Sequence, residues 1–166
     1  MTPSNHINIV LDLETLGLSE DAAILQIGCA VPFFDQYKIP DILPTFETAI
    51  SYEAAVNSEF AKDHSTLEWW EKQPTKTRMI VFSGQNSYED ALDQFAFWLN
   101  TIKSKGLTPR IWGRGPEFDN RLLEYTLSCY GMGGLWNFRD NHSLRTLEVL
   151  FPVDMVDHPD EVKHTA

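Results

Sequence analysis

The chain predicts an α/β fold, a mixed sheet flanked by helices, in which an antiparallel meander of three strands opens the sheet and further strands extend it. Three observations carry the prediction. Residues 6 to 14, "HINIVLDLE", alternate apolar and polar positions, the period of a strand. Beyond residue 50 the apolar positions fall three and four apart, the period of helices. Between 109 and 131 the pattern passes from strand to helix across a glycine- and proline-containing turn.

In the first strand Ile7, Ile9, Leu11 and Leu13 point one way and Asn8, Val10, Asp12 and Glu14 the other, so two carboxylates share a face. After the turn "GLSED" the segment "AAILQIGCAVPFF" reads as a second strand and "TFETAI", 45 to 50, as a third, with loops short enough for hairpins. "STLEWWEKQ" reads as a helix with Ser65 as N-cap, Glu68 completing a capping box and Pro74 as its stop; a short helix follows through Met79. "NSYEDALDQFAFWLNTIKSKG" is a longer helix. Its Tyr88, Leu92, Phe95, Leu99 and Ile102 form one stripe, with acids in its first turn and lysines at its end. "PRIWGRG" (109 to 115) is a strand, and "PEFDNRLLEYTLSCYG" a helix with Pro116 at its first position and Gly131 past its end. "LWNFRD" is a short strand or a loop, and "SLRTLEVLF" a helix halted by Pro152.

The 166 residues, 43% of them hydrophobic, suffice for one domain with a real core, and no repeat, linker or low-complexity tract divides them. Cys29 and Cys129 lie far apart in apolar contexts, which predicts reduced, buried thiols. No basic leader precedes an apolar stretch, and no run approaches the ~20 apolar residues of a membrane span. A cytoplasmic protein is expected. A net charge of -11 argues against broad electrostatic attraction to nucleic acid. It leaves open an enzyme whose positive charge arrives as bound divalent cations.

Asp12 and Glu14 are the first candidates for chemistry. Two acids at i and i+2 on one strand face suit a hard cation such as Mg²⁺ or Mn²⁺, or else they mark a strand end facing water. Asp119 is favoured by the dipole at the start of its helix in any case, yet Leu122, Leu123 and Thr126 at i+3, i+4 and i+7 put it on the side that faces the sheet. Trp69 and Trp70 fit a core position better than a base-stacking one. His6, His64, His142 and His158 lack ligand spacing and read as surface or structural residues, and Arg139 with Asp140 as an ion pair or hydrogen-bond anchor.

"IVLDLETLGL" resembles the first motif of the DEDD-type 3′→5′ exonucleases, and "WGRGPEFDNRLLE" their second acidic motif. "TLEWWEKQ" and "FRDNHSLRTL" are similar to further segments of the branch of that family that contains phage exonuclease A, exodeoxyribonuclease VIII and a mycobacterial adenylate-specific ribonuclease. Four segments in the right order make the resemblance specific, and it runs almost end to end. It implies a ribonuclease-H-like fold and metal-dependent release of mononucleotides from 3′ ends of DNA or RNA, with two Mg²⁺ or Mn²⁺ ions. Asp12, Glu14 and Asp119 would ligate metal and His164 would serve as general base. Thr15, Leu16 and Phe118 would touch the terminal nucleotide. In the family an aspartate follows the histidine by about one helical turn, whereas here Ala166 lies two residues after His164. The expectation is therefore a single exonuclease domain over 1–166, shortened in its last helix. A nucleic-acid-binding or protein-interaction domain of the same fold, and an endonuclease, are the competing readings.

Overall fold

The computed structural model describes residues 5–32 and 44–152. Its strands are β1 (His6–Thr15), β2 (Ile24–Ala30), β3 (Thr45–Ala49), β4 (Thr108–Gly113) and β5 (Asn141–Ser143). Its helices are α1 (Tyr52–Asn57), α2 (His64–Lys72), α3 (Thr75–Val81), α4 (Tyr88–Ser104), α5 (Asp119–Cys129) and α6 (Leu144–Leu150), with a 3₁₀ turn at Phe138–Asp140. The strands form one mixed sheet in the order β3-β2-β1-β4-β5. β1, β2 and β3 are the expected antiparallel meander, and β4 and β5 add parallel strands on the other side of β1.

Alternation along β1 buries Ile7, Ile9, Leu11 and Leu13 on one face. They join a core with Phe95, Leu99 and Ile102 of α4 and with Leu122, Leu123 and Leu127 of α5. At the end of β1 the register with β2 slips: Glu14 faces Gln26 while Thr15 faces Ile24, so Leu25 is the extra residue and Ile24 and Leu25 are buried in succession.

Two caps form as the local chemistry demands. Ser87 accepts from the backbone N–H of Asp90 at the start of α4. At the end of α5, Gly131 takes a φ of 72°, Met132 N–H donates to Leu127 C=O at 2.8 Å and Gly131 N–H to Ser128 C=O at 3.0 Å, a Schellman arrangement.

Several expectations are corrected. Ser65 is not the N-cap of α2: the helix starts at His64 after Asp63, whose carboxylate is committed to the backbone N–H of Leu18. Pro116 lies in a turn three residues ahead of α5. Cys29 is buried as expected, but Cys129 is exposed because it lies on the solvent side of the last turn of α5; both thiols are free. The Arg139 guanidinium sits over the Phe138 ring at 5.4 Å, and among the described residues no ion pair joins it to Asp140. β2 is shorter than its apolar run, and residues 33 and 34 of that run lie outside the described residues, as do His158 and His164. α1 and β5 are additional elements, each too short for periodicity to reveal. No helix among the described residues is long and apolar enough to cross a membrane.

Candidate active site

β1 outruns its neighbour β4. The last pair between them is Leu11 with Gly113, so Asp12 to Thr15 project beyond the end of β4 and pair only with β2. The turn 114–118 and the first residue of α5 fill the space this leaves. Asp119 is delivered there, 7% exposed, and Leu13 N–H donates to its carboxylate past the end of β4, as do the N–H groups of Gly115 and of Asp119 itself.

Gly113 permits that approach. A Cβ at this position would collide with the Asn120 Oδ1 and stand 3.3 Å from both Asp119 Cβ and Pro116 Cα. Asn120, fully buried, clamps the helix start by donating to Ile111 C=O at 3.0 Å and to Asn141 Oδ1 at 2.8 Å. Trp136 Nε1 donates to the same Asn141 oxygen at 2.9 Å, and Asn141 donates to Glu124 at 3.2 Å. This polar network ties α5, β4 and β5 together behind Asp119.

Asp12, Glu14 and Asp119 line a single cleft of about 580 Å³ at the C-terminal ends of β1 and β4. Asp12 is exposed and Glu14 half-buried, so the acid pair stands at an open strand end rather than inside the protein. Burial, then Asp12, then Asp119 push Glu14 up to about 7. Burial first and Asp12 second push Asp119 up to about 6, against the lowering effect of its three backbone donors. Three hard oxygen donors that raise one another in this way are the donor set a divalent cation favours. They do not form a closed cage: among the described residues no group of three His, Cys, Asp or Glu side chains stands in position to hold a metal ion.

α2 builds the opposite wall with Ser65, Thr66, Trp69 and Trp70. Trp70 is buried and its Nε1 donates to Thr15 C=O at 2.8 Å, so it is the core residue expected; Trp69 is half-buried and faces the cleft. Asp63 latches the turn after β1 twice, donating its backbone N–H to Leu16 C=O at 2.9 Å and accepting from Leu18 N–H at 2.6 Å.

Of the residues expected at the nucleotide, Thr15 and Phe118 line the cleft. The Thr15 hydroxyl is occupied, donating to Gly17 C=O at 2.7 Å. Leu16 is not available: its side chain is fully buried and its N–H donates to Ala23 C=O, because the turn must bend back into β2 there. Leu18, 71% exposed, lines the cleft. Its unusual exposure for a leucine after a G-L turn is the signal that tertiary structure supplies and spacing does not. Arg114 also lines the cleft and was not anticipated. His142 stacks on Trp112 with ring centres 4.6 Å apart, and His64 pairs with Glu68 at 3.2 Å; neither lines the cleft.

No curated protein matches the chain. A family model described as the 3′-5′ exoribonuclease Rv2179c-like domain matches it over residues 7–166, and the mixed five-stranded sheet flanked by helices is consistent with a ribonuclease-H-like exonuclease fold. A match that takes in every strand and helix around the acid-lined cleft makes this chain a member of the 3′-5′ exoribonuclease Rv2179c-like domain family.

Proposed function

We propose that the protein is a metal-dependent exonuclease that removes mononucleotides from the 3′ end of single-stranded RNA. The observation that carries this reading is a single cleft lined both by acids (Asp12, Glu14, Asp119) and by aromatic and apolar side chains (Trp69, Phe118, Leu18). The acids suit a phosphodiester approached with cations, the aromatic side chains a base laid flat.

Asp12, Glu14 and Asp119 would hold two Mg²⁺ or Mn²⁺ ions. When bound, such ions supply charge stabilisation at the scissile phosphate and lower the pKa of a water. Like charges repel when no cation separates them, which accounts for three acids that line one cleft without closing on a point. Asp119 is buried and accepts from backbone donors, whereas Asp12 stands exposed on the open strand end. Trp69 and Phe118 would bracket the terminal base, and Leu18 would stand between it and the next one. His164 would take a proton from the attacking water, a task that imidazole chemistry suits near neutral pH.

The test is a 5′-labelled single-stranded RNA incubated with Mn²⁺. Stepwise shortening from the 3′ end, abolished by chelator and by Asp12→Asn, with a closed RNA circle left intact, is the expected result. Cutting of the circle would assign an endonuclease instead. RNA bound but never cut, whatever the metal, would assign a binding domain.

A further inference from the structure

We infer that the RNA strand upstream of its 3′-terminal nucleotide leaves the cleft over the turn between β4 and α5, where Arg114 and Arg145 take its backbone phosphates. The inference rests on the cleft being the site of a nucleic-acid 3′ end, and it adds a direction and two phosphate contacts to that reading.

Charge along the chain is unevenly distributed. Seven of the 13 Lys and Arg residues fall between 103 and 145, a stretch with four Asp and Glu, while the remaining sequence holds six basic residues against 20 acidic ones. The stretch that holds β4 and α5 is thus net basic while the rest of the sequence is strongly acidic, and a polyanion is repelled least there.

The cleft opens onto that region through one residue. Among the described residues that line it, Arg114 is the single basic side chain. Arg145, from the first turn of α6, lies against Gly115 and next to Glu117 on the same turn. Both guanidinium groups are available: the side chains are 62% and 65% exposed. Each is held only loosely, Arg114 Nε lying 3.7 Å from Glu148 and Arg145 Nη1 3.8 Å from Glu117, distances beyond a hydrogen bond. Such pairs orient an arginine without satisfying it, and a phosphate that accepts two N–H donors replaces the distant carboxylate readily.

Glu20 and Asp21, which follow Leu18 in the turn after β1, lie against α5 rather than in the cleft, Glu20 standing 3.8 Å from Arg121, so they leave Arg114 and Arg145 uncontested. Gly115, next to Arg114, leaves room for the Arg145 guanidinium, which stands 3.8 Å from where a Cβ would lie. The acidic partners set the sign of a distinctive effect: Glu117 competes with phosphate for Arg145, so neutralising it should tighten binding rather than weaken it.

The experiment is fluorescence anisotropy of a 5′-labelled six-nucleotide RNA with the whole chain in EDTA, where no cutting occurs, over a series of salt concentrations. Arg114→Ala and Arg145→Ala are each expected to weaken binding several-fold. Each should also lower the slope of log K against log salt by about 0.7, the amount of one phosphate contact on a single strand. Arg145→Lys should retain most of the affinity, and Glu117→Gln should raise it. A dinucleotide, with only the scissile phosphate, should compete equally well against the parent and Arg145→Ala.

A double arginine variant with the parent's affinity and salt slope overturns the inference, as does a Glu117→Gln variant that binds more weakly than the parent. A parent chain that fails to bind the six-mer at low salt overturns it too. Failure of the exonuclease reading looks different: arginine-dependent binding persists, but no strand is shortened in Mn²⁺.

Discussion

Glu14 sits at the midpoint of its titration near pH 7, and the reason is local: burial makes its charge costly, and Asp12 and then Asp119 add repulsion. The folded chain therefore holds this proton more tightly than the unfolded chain, whose glutamate titrates near 4.5. Stability from this group is full below about 4.5 and is lost as pH rises through about 7; Asp119 acts in the same sense between 3.8 and about 6. We predict that the metal-free protein loses stability from pH 5 to 7.5 in urea titrations, and that Glu14→Gln removes much of that slope. An unchanged slope in the variant would assign the loss to other groups. Gly113 is the second test at this scale. Gly113→Ala must push Asn120 away from Ile111 and displace Asp119, and a cost of about 1–3 kcal/mol is expected for the strained, partly unpaired clamp. Mn²⁺ affinity measured by calorimetry should fall with it, whereas Gly131→Ala, equally glycine-dependent through its φ of 72° but distant from the cleft, should cost stability alone.

Among the elements, α2 connects sequence to site. Its TLEWW segment reads as an amphipathic helix, and it does bury Trp70, yet its larger effect is to hold the end of β1 in place through the indole bond to Thr15 and the double latch from Asp63. Trp70→Phe leaves the Thr15 carbonyl buried without its donor, and a loss of about 1–3 kcal/mol is expected in chemical denaturation. Cleavage of RNA should slow more than stability alone explains, because Glu14 and Thr15 share the strand end that loosens. A variant that is destabilised but fully active would show that the latch serves folding only. β5 illustrates the opposite relation. Asn141, His142 and Ser143 have neither alternation nor length, so nothing local marks a strand. Its place is set by pairing with Ile111, Trp112 and Gly113 and by the Asn141 amide shared among Asn120, Trp136 and Glu124.

For the whole molecule, the relevant quantity is how a net charge of -11 responds to cations. A cation that binds the folded cleft and not the unfolded chain stabilises by about 2.7 kcal/mol at a hundredfold excess over its Kd. Saturating Mn²⁺ should therefore raise Tm of the parent, and Asp119→Asn should lose most of the rise. Equal shifts in both would mean that the ions act by general screening. The two thiols report folding from the same samples. Cys129 should react with a thiol reagent in the native protein, and Cys29, buried in β2, only after unfolding.

The sequence by itself determined the strands that bear the chemistry and the helices that cover them. Alternation over 6 to 14 requires one face of β1 to be apolar, and that same parity places Asp12 and Glu14 together on the other. The helical stripe of α4 and the sheet-facing side of α5, with Asp119 at its start, follow from spacing in the same way. Short-range periodicity encodes which side of an element is buried, and this information is local. What only the tertiary structure decided is where those sides end. Leu16 and Leu18 are the same residue type two positions apart, yet one is sealed in the core and the other stands on the rim, because Ala23 and Asp63 fix the turn between them. Cys129 is exposed and Cys29 buried for a similar reason: an apolar sequence neighbourhood does not specify what packs against it. Arg114 entered the site because β4 stops one residue before it, paired with Leu11 and so one residue short of Asp12 and three short of Glu14, a difference in strand length that appears only when the two are paired.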